Sequence, residues 1–455
     1  MYMSKKINRV AVVGAGITGL VAAWKLQKFG VEVELFERKA EPGGAIKTVK
    51  DGDWQVEYGP NTLLLKDRMI AEFITELGLN GEKKVANSEA NKRFVVKNGV
   101  MEPLPSSFKS AVKTPLFSLG GKLRVLAEPF IPKNGDRDQT VAEFVERRLG
   151  TELLDYAINP FIAGIYANRP EYLSLRHALP MMDDLEQEYG SLIWGTIAGS
   201  KKRKEKGRIE RELISFEKGM QQLPRTIADQ LNCLYLNHEI RSLKKQDGKW
   251  EVESSLGKFG PYDHIIVNTP LYKLNKELIS VTDEELKVLN KVNYPPLSVM
   301  LLGFKKDDIN HDLDGFGFLV PEKENRKILG ALFSSTLFDD RAPEGMHLLT
   351  VFVGGGRQPE LAEKDSEELL KIVMDELHDL IGLSGEPQFK DHIFWPQSIP
   401  GYHVGYDEIL DTLLKIEERN EGLTLAGNFR NGISVPDCIK NGLKLADQLA
   451  GSIRY

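Results

Sequence analysis

Hydrophobic and polar positions change period along this chain, and the changes mark its elements. A continuous apolar run at 10–13 reads as a buried strand. Residues 20–29 then repeat at helical spacing until Gly30 stops them, and a second apolar run closes on Glu37. A hairpin-like pair and a helix at 67–78 follow. Between 103 and 132 the period disappears, and apolar residues mix with Lys and Arg. Helical patterns resume at 140–149, where Thr140 and Glu143 form a capping box, at 151–158 and at 181–199. Residues 216–231 lead through a loop into another helix. A strand at 237–243, a hairpin at 250–259 and a buried strand at 263–270 come next. Alternating segments at 298–304, 315–321, 328–334 and 348–354 predict four strands of an antiparallel or mixed sheet, able to roof a large ligand. An amphipathic helix covers 366–381, and the chain closes with a strand at 425, a Gly-rich loop and a helix from Lys440.

The first strand runs into Gly14-Ala15-Gly16-Ile17-Thr18-Gly19. Gly14 permits a tight turn, Gly16 lets backbone approach a pyrophosphate, and Gly19 lets the helix lie close on the sheet. The helix start presents unpaired N–H groups and a positive dipole end to phosphate. Glu37 stands at the right distance to accept from a ribose 2′-OH, against a 2′-phosphate there. A dinucleotide is therefore expected. Pro42-Gly43-Gly44-Ala45, then Tyr58-Gly59-Pro60-Asn61-Thr62, add a second glycine set soon after the acid. A simple nicotinamide dehydrogenase has no need of it, whereas a large, permanently held flavin does. The segment resembles the two-glycine motif of the FAD-dependent amine oxidase and protoporphyrinogen oxidase superfamily. Gly427-Asn428 and Ile433-Ser434-Val435, between the last strand and helix, would aim amides at the flavin pyrimidine edge or ribityl chain. The cofactor expected is non-covalent FAD, with Cys438 a small buried thiol in that loop rather than a covalent link.

Length changes the picture first: 455 residues suffice for two or three domains around a cavity. The net charge of −6 argues against nucleic acid. Cys233 and Cys438 lie far apart, match no metal spacing and fit a reducing compartment. No apolar run reaches membrane-spanning length. The basic run at 201–211, beside the apolar 103–132 segment, is expected to meet anionic lipid headgroups, which makes the protein cytoplasmic and peripheral on the inner face of the membrane.

Further segments resemble the protoporphyrinogen oxidases of bacteria and mitochondria: 91–95, 161–167, 216–224, 315–321 and 395–405. The resemblance spans nearly the whole chain. It implies a mixed α/β fold with a discontinuous Rossmann-like FAD-binding domain (1–85, 210–275, 415–455). An inserted substrate-binding sheet domain (86–100, 276–414) and a helical, membrane-associating domain (101–209) complete it. It also implies that Arg93 holds a propionate of the porphyrinogen, that Phe316 and Leu319 sandwich a pyrrole, that Phe352 lines the opposite wall and that Gly164 lies where the macrocycle passes. FAD contacts would come from Gly14, Ala15, Gly16, Ile17, Thr18, Gly19, Glu37, Arg38, Gly44, Ala45, Gly59, Pro60, Asn61, Thr62, Ile240, Trp395, Asn428, Ile433, Ser434 and Val435. No acid, base or metal centre is expected, because the isoalloxazine carries the chemistry. Expected partners are the porphyrinogen, dioxygen as acceptor giving hydrogen peroxide, an anionic membrane surface, a downstream haem-synthesis enzyme and a second copy in a homodimer. The competing readings are coproporphyrinogen III as substrate, an amine oxidase or carotenoid desaturase, and a non-enzymatic flavoprotein scaffold.

Overall fold

The computed structural model describes residues 7–205 and 211–451. Its first layer is an all-parallel sheet ordered Leu234–Tyr235, Glu32–Phe36, Arg9–Val13, His264–Val267, Leu423–Leu425. Parallel strands bury both faces, and the side chains divide accordingly. Val10, Val12, Leu35 and Ile266 enter a core with the helices Ile17–Lys28 and Val435–Gly451, while Ala11, Val13, Phe36 and Val267 enter a second core behind. The first and last helices pack on each other, so the two ends of the chain build one unit.

Three boundaries differ from expectation. The first helix begins at Ile17 rather than 20, and the last at Val435 rather than Lys440. Pro436 reads as a loop residue, yet a helix's first turn accepts proline because its N–H would be unpaired there anyway. Ser434 Oγ caps that turn, accepting from the Asp437 N–H at 3.3 Å. Cys438 is thus a buried helical residue whose thiol burial pushes up to about 11, which leaves it unreactive. The helix expected at 181–199 divides at Gly190 (φ 68°) into Pro180–Tyr189 and Leu192–Glu205.

The second layer is a seven-stranded sheet ordered Phe389–Trp395, Leu297–Lys305, Met346–Gly354, Gly330–Phe333, Gly315–Leu319, Lys92–Lys97, Val100–Pro103. Every pairing is antiparallel except that of Gly315–Leu319 with Lys92–Lys97. The four expected strands form its centre. On one face Phe94, Met300, Leu302, Phe318, Ala331, Phe333, Val351 and Val353 pack against the helix Ser366–Ile381, none more than 6% exposed.

Helices between 108 and 205 form a third region around a buried ion cluster. Arg148 joins Glu186 (2.6 Å) and Glu128 (3.0 Å), and all three side chains are fully buried. Glu128 also accepts from the N–H groups of Leu192 and Ile193, capping the start of Leu192–Glu205. Of the basic run at 201–211, residues 201–205 end the helix Leu192–Glu205 and 206–210 lie outside the described residues.

Candidate active site: a glycine cradle and an apolar slot

The first strand ends at Gly14 with φ 101°, a conformation that other residues adopt only under strain. A Cβ on Gly19 would stand 2.4 Å from the Gly14 carbonyl oxygen and 2.7 Å from Asn268 Nδ2, so only glycine lets the helix begin this close to the sheet. Asn268 Nδ2 itself donates to the carbonyls of Gly14 (3.2 Å) and Gly16 (3.3 Å). Sequence reasoning passed over this residue as the end of a buried strand. Glu37 is buried and accepts from the Ala15 N–H at 2.8 Å and the Lys39 N–H at 2.9 Å, which ties the tip of the second strand to the turn. Each of its oxygens keeps a lone pair for a further donor.

The second glycine set touches the first. Gly43 N–H donates to the Ala15 carbonyl at 2.8 Å, and a Cβ on Gly44 would lie 3.3 Å from Gly16 Cα. One on Gly59 would lie 2.0 Å from the Ala45 carbonyl oxygen. Arg38 is exposed beside Glu37, whose own carbonyl takes the N–H of His238, two residues before Ile240. The C-terminal loop is held by two tyrosines that sequence reasoning missed. Tyr402 donates to the Asn428 carbonyl (2.6 Å) and accepts from Gly432 N–H (3.1 Å), and Tyr406 donates to the Phe429 carbonyl (2.9 Å). Ile433, Ser434 and Val435 follow directly into the last helix. Gly16 puts no side-chain cap on the first helix, so its first-turn amides are left for a ligand. Glycine clearance, a helix N-terminus and one buried carboxylate fit a dinucleotide.

The other face of the seven-stranded sheet is built differently. Register puts Arg93, Leu332, Thr350, Leu301 and Asp391 in one cross-strand row, and Leu319, Phe352, Val299 and Ile393 in the next. Leu319, Leu332 and Phe352 sit at the centre of the sheet yet stay partly exposed, so they border open space. Opposite lies the helix Asn159–Tyr166. Its residues Phe161, Gly164 and Ile165 are exposed, and a Cβ on Gly164 would come 2.8 Å from Leu319 Cδ2. The result is an apolar slot. Three strand spacings, about 14 Å, separate the strand of Phe352 from that of Arg93 at one end. Arg93 carries no ion pair among the described residues and lies 5.1 Å from the Phe316 ring centroid. Phe316 occupies a β-bulge, which turns it from the sheet toward Ala86, Ala90, Leu337 and Phe338. It flanks Arg93, while Leu332, unnoticed in the sequence, stands beside Leu319 instead.

At the other end the glycine segment meets the slot. Trp395 Nε1 donates to the Tyr58 carbonyl at 3.0 Å, and Tyr58 Oη to Asp391 Oδ2 at 2.6 Å, which lays residues 58–61 on the slot face. The structure thus brings Trp395 to one end, Phe352, Leu319 and Gly164 to the middle, and Arg93 to the other end. Beneath Asn61 a cavity of about 10 Å³ is lined by Glu57, Arg341, Ser334 and Thr350. Glu57 accepts from Thr48 Oγ1 (2.7 Å) and Met220 N–H (2.8 Å). Burial pushes its carboxyl up to about 7, opposed by Arg341 at 3.8 Å. A wider cleft of about 520 Å³ at Tyr172, Lys291 and His403 shares no residue with this arrangement. No group of three or more His, Cys, Asp or Glu among the described residues could hold a metal.

Comparison with known proteins agrees with this geometry. Residues 17–450 match the family described as flavin containing amine oxidoreductase. Protoporphyrinogen oxidase 2, chloroplastic/mitochondrial, of Arabidopsis thaliana is 34% identical, covering 97% of this chain and 93% of its own. Coproporphyrinogen III oxidase of Bacillus subtilis (strain 168) is 27% identical, covering 97% of each. A solved structure from Exiguobacterium sp. 255-15 shares the fold, with a TM-score of 0.82 at 22% identity over 97% of this chain and 98% of that one.

Proposed function

This chain belongs to the flavin-containing amine oxidoreductases, and within them to the protoporphyrinogen oxidases; from that premise we propose that it oxidises protoporphyrinogen IX to protoporphyrin IX. It is an FAD-dependent oxidoreductase. The observation that carries the substrate reading is the slot: largely apolar, with Arg93, a cation that has no ion pair among the described residues, at its end. A large apolar macrocycle with carboxylates on one edge needs those features. Its two propionates suit a single arginine, whereas the four of coproporphyrinogen III would call for more cations.

FAD would be held by the glycine segments, Glu37, Ile240 and the Asn428–Val435 loop, and when bound it supplies the hydride acceptor. The residues of the chain do the rest. Arg93 orients the macrocycle by its carboxylate, and Leu319, Leu332, Phe352 and the face bearing Gly164 hold the ring plane and exclude water. Aromatisation removes six electrons and six protons, two of each per visit. With dioxygen as acceptor the balance is three O2 consumed and three H2O2 formed per porphyrin. The strand-rich sheet with 86–100 and 276–414 serves as the substrate domain, the outer segments as the FAD domain and 101–209 as the helical domain.

No helix among the described residues is long and apolar enough to cross a membrane. The helical region nonetheless exposes Leu119 (74%), Leu123, Leu126, Phe130 (86%), Trp194 and Ile197. The elements that carry them lie on one another over the buried Arg148–Glu128 cluster, so this apolar surface is rigidly built. It is the surface by which the protein would dock peripherally on an anionic membrane, on the cytoplasmic side.

Purified protein supplied with protoporphyrinogen IX in air tests the reading. Porphyrin fluorescence should rise with three hydrogen peroxides per porphyrin. Turnover of coproporphyrinogen III alone would move the chain to the substrate in the name of the Bacillus relative.

A further inference from the structure

The slot has a width, and one short turn controls it. Where Met346–Gly354 ends, the chain passes through Gly354-Gly355-Gly356-Arg357 and touches both ends of the slot helix Asn159–Tyr166. Gly356 N–H donates to the Ala167 carbonyl at 2.7 Å, just past the helix C-terminus. Arg357 reaches the N-terminus: Nη2 donates to the Asn159 carbonyl (3.0 Å) and to Asn159 Oδ1 (2.6 Å). Its Nη1 donates to the Val320 carbonyl at 2.6 Å, the residue after Leu319. One guanidinium therefore spans the helix that carries Gly164 and the strand that carries Leu319. Asn159 is buried and also accepts from Glu322 N–H at 3.0 Å, fastening the strand exit a second time. A π-helical turn, Leu154–Ile158, joins this helix to Thr151–Leu153 and interrupts the regular α-helical ladder just before Asn159.

We propose that this turn is the gauge of the slot, and that Arg357 is a positioning residue that fixes the gap between Gly164 and Leu319 and so selects which porphyrinogen fits. The inference rests on the porphyrinogen reading above. The hydrogen bonds of Arg357 go to Val320 and Asn159, so it acts on Leu319 and Gly164 through the strand and helix it clamps. The guanidinium is required because its planar fork serves two acceptors at fixed separation, which a lysine ammonium does not reproduce. A methyl group at 164 should then be intolerable only while the clamp holds.

The experiment compares Gly164→Ala, Arg357→Met and the double variant with the wild-type holoenzyme, measuring KM and kcat for protoporphyrinogen IX and coproporphyrinogen III. Arg357→Met should retain its flavin spectrum and kcat while KM rises and the preference between the two porphyrinogens falls about tenfold. Gly164→Ala should raise KM about tenfold in the wild type and less than threefold on the Arg357→Met background. Should Arg357→Met fail to fold, Arg357→Lys carries the same test. Additive effects with an unchanged substrate preference, in an active wild type, would overturn the gauge alone. A wild type inert to both porphyrinogens would overturn the porphyrinogen reading and the gauge with it.

Discussion

The two faces of the seven-stranded sheet come from the same strands and alternate residues, yet they behave as different materials. Phe318, Ala331, Phe333 and Val351 point to a helix and are sealed, while Leu319, Leu332 and Phe352, their immediate neighbours, point into open space. The open face also carries Arg93, Thr350 and Asp391, but Leu319, Leu332 and Phe352 are as apolar as their sealed neighbours, so apolarity at these positions does not separate core from slot. The covering element does. Ser366–Ile381 presents Leu369, Val373 and Leu377 and fills one face, whereas Asn159–Tyr166 meets the other at a glycine and is held off by Arg357. Apolar surface left open at the centre of a sheet is surface reserved for a ligand.

The contrast breaks or sharpens under substitution. The largest effect belongs to the sealed face: Phe333→Ala should lower unfolding stability by about 3–5 kcal/mol and leave KM of the folded fraction unchanged. Leu332→Ala, one residue away, should cost about 1 kcal/mol or less and raise KM severalfold. Equal stability losses from the two would erase the distinction between the faces. Next is Glu57, in the small cavity it lines with Asn61 and Arg341. Its folded carboxyl titrates near 7, above the ordinary value of 4.5, so its protonated form is favoured by folding. That contribution is complete below about pH 4.5 and is lost as pH rises through 7. Glu57→Gln mimics the protonated form and should gain on the wild type by about 3 kcal/mol between pH 5 and pH 8. A stability difference flat with pH would show that Arg341 already holds the carboxylate charged.

Arg93→Ala should raise KM for porphyrinogen more than about tenfold, since a charge-assisted contact contributes about 1.5–3 kcal/mol. Its side chain is exposed, so the melting temperature should stay put. Unaltered kinetics would remove Arg93 from the site. The smallest stability effect, within about 0.5 kcal/mol, is expected for Leu119→Ser with Phe130→Ser on the exposed helical surface. There the readout is sedimentation with anionic vesicles: the wild type should co-sediment at low salt and the double variant should not. Wild-type protein that stays in the supernatant would end the membrane reading.

Much of this was legible in the sequence, for a local reason. The glycines at 14, 16 and 19 and the acid at 37 act across one β-α-β unit, so their spacing carries their meaning. The central sheet strands were equally plain as strands. Their order was not, because alternation marks a strand without naming its neighbours, and the parallel entry of Lys92–Lys97 is a tertiary fact. That Leu332 stands beside Leu319 follows only from register, and that Phe316 turns aside from the sheet follows only from its bulge. Asn268, Tyr402 and Arg357 act on backbone atoms more than twenty residues away in sequence, and no spacing rule reaches them.

The central claim is that the open face of the sheet delivers a porphyrinogen to the flavin. Anaerobic mixing of the holoenzyme with protoporphyrinogen IX, and separately with coproporphyrinogen III, tests it by following the visible flavin band. Fast bleaching by protoporphyrinogen IX, much slowed in Arg93→Ala and Phe352→Ala and untouched in a conservative sealed-face variant such as Val351→Ile, is the result expected. A flavin that neither porphyrinogen bleaches would contradict the account.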